Sequence, residues 1–187
     1  MEVRVFYSHL PHSASRTIML RTSLLVLAFL PMAFEARLAA RHDRALRSAG
    51  AAEPKDDVYP IMQVVYPVSF LAMALEAFLR DARMDAVFVA GAVVFALAKA
   101  IKYWAIATLG PRWTFRVLVP PGSSMTHRGP YRFMRHPNYL GVIGELIGMA
   151  LMAHAAYSGP AAVVVFAVII AARIKVEERA LYRLNSP

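Results

Sequence analysis

The chain has 187 residues, of which 58% are hydrophobic and 18% are charged. Soluble domains carry roughly 25% charged and roughly 45–50% apolar residues, so this chain lies outside their range on both counts. Such hydrophobicity excludes a disordered chain. The absence of cysteine excludes disulfide scaffolds, thiolate nucleophiles and cysteine-ligated metal sites, and we predict no metal site. In so apolar a chain, the formal charge of +9 indicates the inner face of a membrane rather than a nucleic-acid partner.

Five segments approach the length and apolarity of a membrane-spanning helix, which needs about 20 largely apolar residues. The first is predicted to be an uncleaved span rather than a signal peptide, because Glu35 and Arg37 crowd the place where a cleavage site would lie. The sequence therefore predicts an all-α fold, a polytopic membrane helical bundle that forms a single domain over residues 1–187. The five predicted spans cover residues 17–38, 58–79, 86–109, 137–156 and 160–176.

The basic residues predict the orientation of this bundle. Sixteen of the 21 Lys and Arg residues fall within residues 37–57, 99–136 and 173–183, and five fall on the other side. Because basic residues accumulate on the cytoplasmic side, we expect the N-terminus outside and the C-terminus in the cytoplasm, in a multi-pass protein of a bacterial inner membrane.

The longest polar connection, residues 110–136, contains four prolines and is predicted to be an irregular cytoplasmic loop. Long ordered loops are often functional. At its end, Pro137 biases His136 away from the helical region and itself suits the first turn of a helix. The fourth span is therefore predicted to begin at the membrane surface. The N–H groups of the next three residues are expected to form an anion site.

The last two spans are predicted to form a hairpin that turns near residues 157–160. This turn places His136 and Glu177 at similar depth, and it places Glu145 and Arg173 within about 3 Å of each other in depth. Ionisable groups inside a membrane normally face the protein interior or a cavity. Two plainer interpretations remain open, namely a structural ion pair between Glu145 and Arg173 and an ordinary solvated helix end at Glu177.

The segment Arg-His-Pro-Asn-Tyr-Leu-Gly at 135–141, followed after one hairpin by Arg173 and the paired Glu177 and Glu178, resembles the isoprenylcysteine carboxyl methyltransferase family. That family is itself similar to the phospholipid methyltransferases. The resemblance is strongest over residues 99–181, and it implies a multi-span enzyme that uses S-adenosylmethionine without a soluble nucleotide-binding domain. It also implies that Arg173 lies on the substrate side. The cofactor-binding residues that it implies are Ser123, Ser124, Met125, Thr126, Tyr131, His136, Pro137, Asn138, Tyr139 and Glu177.

The predicted reaction is O-methylation of a lipophilic acceptor that enters from the bilayer. Arg173 is predicted to hold an anionic oxygen through charge-assisted hydrogen bonds. Glu145 is a candidate base for a hydroxyl acceptor. A carboxyl group on a prenylated or other lipophilic molecule fits the family. Bacterial relatives of this compact form also resemble O-methyltransferases of alkylated polyketide rings, such as alkylpyrones or alkylresorcinols. A sterol-type reductase that uses NADPH and a non-catalytic membrane scaffold are the alternatives from other classes.

Overall fold

The computed structural model describes residues 12–80, 82–121 and 125–185, without the side chains of residues 12–21 and 181–185. The described residues form five α-helices, which confirms the predicted all-α membrane bundle. Two short 3-10 turns, Gly110–Arg112 and Gly129–Arg132, interrupt the otherwise irregular connection between the third and fourth helices. The helices are α1 (His12–Ser48), α2 (Tyr59–Leu79), α3 (Ala86–Leu109), α4 (Pro137–Met152) and α5 (Ser158–Asn185).

Four of these helices are long and apolar enough to cross a membrane. The candidate spans are Thr22–Ser48, Tyr59–Leu79, Ala86–Arg112, which continues from α3 through the first 3-10 turn, and Ser158–Ala180. The remaining helix, α4, has 16 residues. At 1.5 Å per residue it measures about 24 Å, which is less than a hydrocarbon core of about 30 Å. The count of five spans and the orientation of the bundle stay predictions.

Helices α3 and α4 pack against each other at very short range because glycines face the contact. A Cβ atom placed on Gly148 would lie 2.6 Å from the backbone nitrogen of Phe95, and one on Gly141 would lie 2.8 Å from the Cβ of Lys102. Gly91 on α3 meets the backbone of Met152 in the same way. These contacts run along the whole of α4, so α4 lies antiparallel to α3. The glycines therefore serve helix packing, as is common between membrane helices.

We expect Gly148→Ala to destabilise the protein by about 1–3 kcal/mol, because an added methyl group there meets backbone rather than a flexible side chain. Thermal unfolding in detergent, followed by circular dichroism, measures this loss. Ala150→Gly on the same helix is the comparison. An unchanged melting temperature in the Gly148 variant would contradict the close packing of α3 on α4.

The two ends of the bundle are built differently. At the end of the bundle where α4 turns into α5, Glu76 of α2 accepts hydrogen bonds from the backbone N–H of Tyr157 (3.1 Å) and of Ser158 (2.8 Å). These two N–H groups at the start of α5 therefore have hydrogen-bond partners. Asp85 accepts from Val87 and Phe88 at the start of α3, which holds the pKa of this exposed carboxyl below its usual value. These caps fix the short connections at this end.

The loop end carries the connections 49–58 and 110–136. An isolated antiparallel bridge joins Ala52 to Val119, with N···O distances of 3.1 and 3.0 Å. Asp57 accepts the backbone N–H of Val117 at 2.9 Å and that of Tyr59 at 3.0 Å. The two connections are thus held together, and they cover the cytoplasmic-side ends of the helices in the predicted orientation.

Candidate functional site

A cleft of about 340 Å³ opens at the loop end, between the 110–136 connection and the adjoining ends of α4 and α5. We call it the loop cleft. Its volume falls in the range of roughly 300–1,000 Å³ that is usual for small-molecule sites. One wall is the extended segment 112–120, and the other is formed by residues 125–139 with Glu177 and Glu178.

The loop cleft gathers most of the residues that the sequence assigned to the cofactor. Pro137 does not line it; it is buried and begins α4. Ser123 and Ser124 lie outside the described residues. The seven that line the cleft are Met125, Thr126, Tyr131, His136, Asn138, Tyr139 and Glu177.

Glu177 is the centre of polar contacts on the floor of the loop cleft. Its Oε1 accepts a hydrogen bond from the Tyr139 hydroxyl and another from the Nε of Arg173, which lies 3.2 Å away. Its Oε2 lies 3.5 Å from the Nδ1 of His136, and the Glu177 side chain stays 26% exposed to the cleft. The rings of His136 and Tyr139 are stacked with their centroids 5.6 Å apart. The site thus joins a carboxylate with an aromatic surface.

Two of the three N–H groups that the sequence assigned to an anion site at the start of α4 are used within the helix. The N–H groups of Tyr139 and Leu140 both donate to the carbonyl of His136, at 3.2 and 3.4 Å. These amides are already used within the helix's own first turn. Positive charge comes to the loop cleft instead from the side chains of Arg112, Arg116 and Arg135.

Tyr131 contributes a neutral phenol to this cleft. Burial, and then the negative charge of Glu177, raise the pKa of Tyr131 well above its ordinary value. The hydroxyl therefore stays protonated throughout the physiological range and remains a hydrogen-bond donor.

A second cavity, of about 240 Å³, lies among the helices directly behind the loop cleft. We call it the helix cavity. Its walls are largely apolar, with Met32, Met62, Val142 and Phe166 among them. Thr114, Asn138 and Tyr139 line both the helix cavity and the loop cleft. These three residues form a shared partition, and Asn138 is held in it by the indole N–H of Trp113 at 3.3 Å.

Arg173 lines the helix cavity and is only 3% exposed. Its guanidinium donates to the Asp57 carboxylate, to the Phe115 carbonyl at 2.8 Å and to the Tyr139 hydroxyl at 3.2 Å. Together with the Glu177 contact, these bonds tie α5 to α4, to the connection before α2 and to the 110–136 connection. The side chain is therefore fixed at the partition between the two cavities.

The structure does not contain the ion pair between Glu145 and Arg173 that the hairpin geometry allowed. The partners of Glu145 are Lys99 (3.0 Å) and Lys102 (3.2 Å), while Arg173 turns to Asp57. Because α3 packs so closely on α4, its lysines reach Glu145 before the arginine of α5 does.

Glu145 belongs to a buried cluster of two acids and two bases. Glu35 of α1 binds Lys102 at 2.6 Å and Lys99 at 2.9 Å, and Tyr66 donates to Glu145 at 2.5 Å. Glu35, Lys102 and Tyr66 line the helix cavity, whereas Glu145 sits behind them. Each carboxylate is thus balanced by ammonium groups. This balance makes Glu145 a weaker candidate for a base than its isolated position in the sequence indicated.

Comparison with known proteins identifies the family of the chain. The sequence model of the isoprenylcysteine carboxyl methyltransferase family matches residues 89–183, half of the chain. The chain belongs to this family. The matched region begins in α3 and includes the loop cleft, the partition and Arg173, so the resemblance inferred from segment 135–141 is confirmed.

Two bacterial proteins are similar to this member of the family over most of their length. The uncharacterized protein YpbQ of Bacillus subtilis (strain 168) is 30% identical over 159 residues, which cover 84% of this chain and 94% of that protein. An uncharacterized protein of Haemophilus influenzae is 28% identical over 145 residues, which cover 77% of this chain and 84% of that protein. No solved structure matches the chain.

Several residues around the two cavities were missed by sequence reasoning. Asp57 holds Arg173 from a distance of 116 residues along the chain, and Glu35 and Lys102 line the helix cavity. One signal was available for Asp57, because a buried arginine requires a counter-charge and the connection before α2 contains acidic residues. The extended wall at 112–120 carries no charge pattern that would have indicated its place in the loop cleft.

Proposed function

We propose that the protein is an S-adenosylmethionine-dependent O-methyltransferase in which the loop cleft takes the methyl donor and the helix cavity takes a lipophilic acceptor. The observation that carries this proposal is the shared partition. Thr114, Asn138 and Tyr139 line both spaces. Two molecules bound on either side would therefore be separated only by these side chains, and direct group transfer requires their reacting ends to be brought together at this point.

The side chains of the loop cleft fit the donor. S-adenosylmethionine supplies a methyl group that is already activated by its positively charged sulfonium. Its amino-acid end is a zwitterion, for which the cleft offers the Glu177 carboxylate and the side chains of Arg112 and Arg135. Its adenine ring matches the aromatic and apolar surface near Tyr131 and Leu109.

The helix cavity fits an acceptor that is apolar with a polar reacting end. Its apolar walls suit a hydrocarbon chain or ring, and Arg173 and Tyr139 stand at the end that adjoins the loop cleft. Arg173, held by Asp57, is aligned to orient an acceptor oxygen, and the surrounding helices keep bulk water away. A carboxylate acceptor loses no proton, whereas a hydroxyl acceptor requires a base.

The proposed setting is a bacterial inner membrane with the loop cleft on the cytoplasmic side. The excess of basic residues at the loop end supports this orientation. The donor would then enter from the cytoplasm and the acceptor from the bilayer.

The acceptor is identified by incubating the purified protein with bacterial lipid extract and a methyl donor that carries a deuterated methyl group. We expect a lipophilic product whose mass rises by one labelled methyl group, bonded to oxygen. A labelled ester would assign a carboxyl acceptor, and a labelled ring ether would assign the alkylated polyketide class. A protein that neither binds the donor nor yields a labelled product would contradict the methyltransferase proposal.

Glu177→Gln is expected to weaken S-adenosylmethionine binding by about tenfold, because a hydrogen bond between two charged groups is lost. Isothermal titration calorimetry measures this change. Glu178→Gln is the matched control, since Glu178 also borders the loop cleft but is 50% exposed and makes only distant ion pairs. Equal affinities in the two variants would remove Glu177 from the donor site.

A further inference from the structure

The loop at residues 125–135 presents an unusual amount of apolar surface outside the bundle. Phe133 is 72% exposed, Met125 is 50% exposed and Met134 is 38% exposed. Phe133 and Met134 do not line the loop cleft, whereas Met125, Thr126 and Tyr131 of the same stretch do. Neighbouring exposed apolar side chains, unlike single ones, mark surfaces that contact a partner or a membrane.

The same stretch is strongly basic. Arg128, Arg132 and Arg135 are all exposed, and the whole connection 110–136 contains no acidic residue. The guanidinium of Arg132 lies over the ring of Phe133 at 5.9 Å. Cationic groups flanking exposed apolar side chains are typical of segments that rest in the headgroup region of a bilayer.

The position of this surface in the fold matches the depth of the headgroup region. Gly129 packs against Thr108, in the last turn of α3. Trp104, one turn earlier on α3, is 50% exposed, and Leu140 at the start of α4 is 49% exposed. Tryptophan is enriched at the membrane boundary. The loop therefore begins where the lipid-facing surface of α3 and α4 ends.

We propose that residues 125–135 form a docking surface for anionic phospholipid headgroups, with Phe133 inserted among the acyl chains and Arg128 and Arg132 bound to the phosphates. Charge complementarity selects anionic lipid over zwitterionic lipid, and each arginine adds about fivefold to the partitioning of the segment. The occupant of this surface is thus the bilayer itself.

This docking surface has a consequence for the loop cleft. Lipid contact orders the segment that also carries Met125, Thr126 and Tyr131 into the cleft. A preordered wall lowers the entropic cost of ligand binding. Anionic lipid is therefore expected to raise affinity for the methyl donor, and this consequence alone rests on the proposed function.

The chain contains no cysteine, so a single introduced thiol can be labelled uniquely. The experiment places an environment-sensitive fluorophore on Phe133→Cys in the full-length protein, reconstituted in vesicles of phosphatidylcholine with or without phosphatidylglycerol. Asp56→Cys is the control, because Asp56 is 55% exposed at the same end of the bundle in a polar connection. Both positions are exposed, so neither label disturbs the core.

We expect the label at 133 to be quenched by nitroxide-bearing lipids and shielded from iodide, and the label at 56 to behave in the opposite way. The shielding at 133 should increase with phosphatidylglycerol, and Arg128→Gln with Arg132→Gln should remove that increase. A label at 133 that iodide reaches freely in both vesicles would overturn the proposal. So would shielding that is the same with and without phosphatidylglycerol. Neither outcome depends on methyl transfer, so the methyltransferase proposal is tested separately.

Discussion

Arg173→Lys is expected to lower methyl transfer by about 100-fold while the protein still folds and binds S-adenosylmethionine. Lysine keeps the positive charge opposite Asp57 and Glu177. However, its single ammonium group cannot contact Asp57, the Phe115 carbonyl and Tyr139 together, as the planar guanidinium does. Loss of one aligned donor at a reacting oxygen typically costs about this factor in turnover. Single-turnover rates with the identified acceptor, compared with donor affinity by calorimetry, separate the two effects.

Arg179→Lys provides the matched control for this experiment. Arg179 lies on the same helix and pairs with Asp56 at 2.7 Å, but its side chain is 58% exposed and lines neither the loop cleft nor the helix cavity. We expect the turnover of the Arg179→Lys variant to equal that of the unchanged protein. If the two lysine variants had equal rates, Arg173 would be a structural cross-link and not a residue that orients the acceptor.

Lys102→Met is expected to reduce the stability of the protein by about 3–5 kcal/mol, because it leaves two buried carboxylates sharing one ammonium group. Glu35 and Glu145 are each 1% exposed, and Lys99 alone would then face both. Methionine fills a similar volume, so the loss measures charge rather than packing. Thermal unfolding in detergent is the measurement.

The double variant Lys102→Met with Glu35→Gln removes one charge of each sign and leaves Lys99 with Glu145. We expect it to recover much of the stability that the single variant loses. Lys175→Met, at an exposed position of α5, should leave stability unchanged. Single and double variants of equal stability would indicate that the cluster is not held by charge balance.

The sequence was most informative where a local rule applied. The start of α4 at Pro137 and the proximity of His136 and Glu177 followed from proline chemistry and helical rise. Each of these features depends on neighbouring residues, or on one hairpin whose geometry is regular.

The sequence was least informative where the partner lies on a distant helix. Glu145 appeared able to meet Arg173 because both lie at similar depth on adjacent helices. Depth does not fix the direction in which a side chain points around the helix axis, and Lys102 of α3 is nearer because the α3–α4 contact is so close. The link from Asp57 to Arg173 likewise depends on how the connection before α2 folds back, which no periodic pattern encodes.

The partition formed by Thr114, Asn138 and Tyr139 also bears on the order of events in the enzyme cycle. In the proposed reaction, the hydrophilic donor on one side and the lipophilic acceptor on the other must be bound at the same moment, so the kinetics should follow a ternary-complex scheme. Initial-rate plots at several fixed concentrations of one substrate should then intersect rather than run parallel. A compound that joins a nucleoside head to an alkyl tail through a linker small enough to pass Tyr139 should inhibit competitively against both substrates.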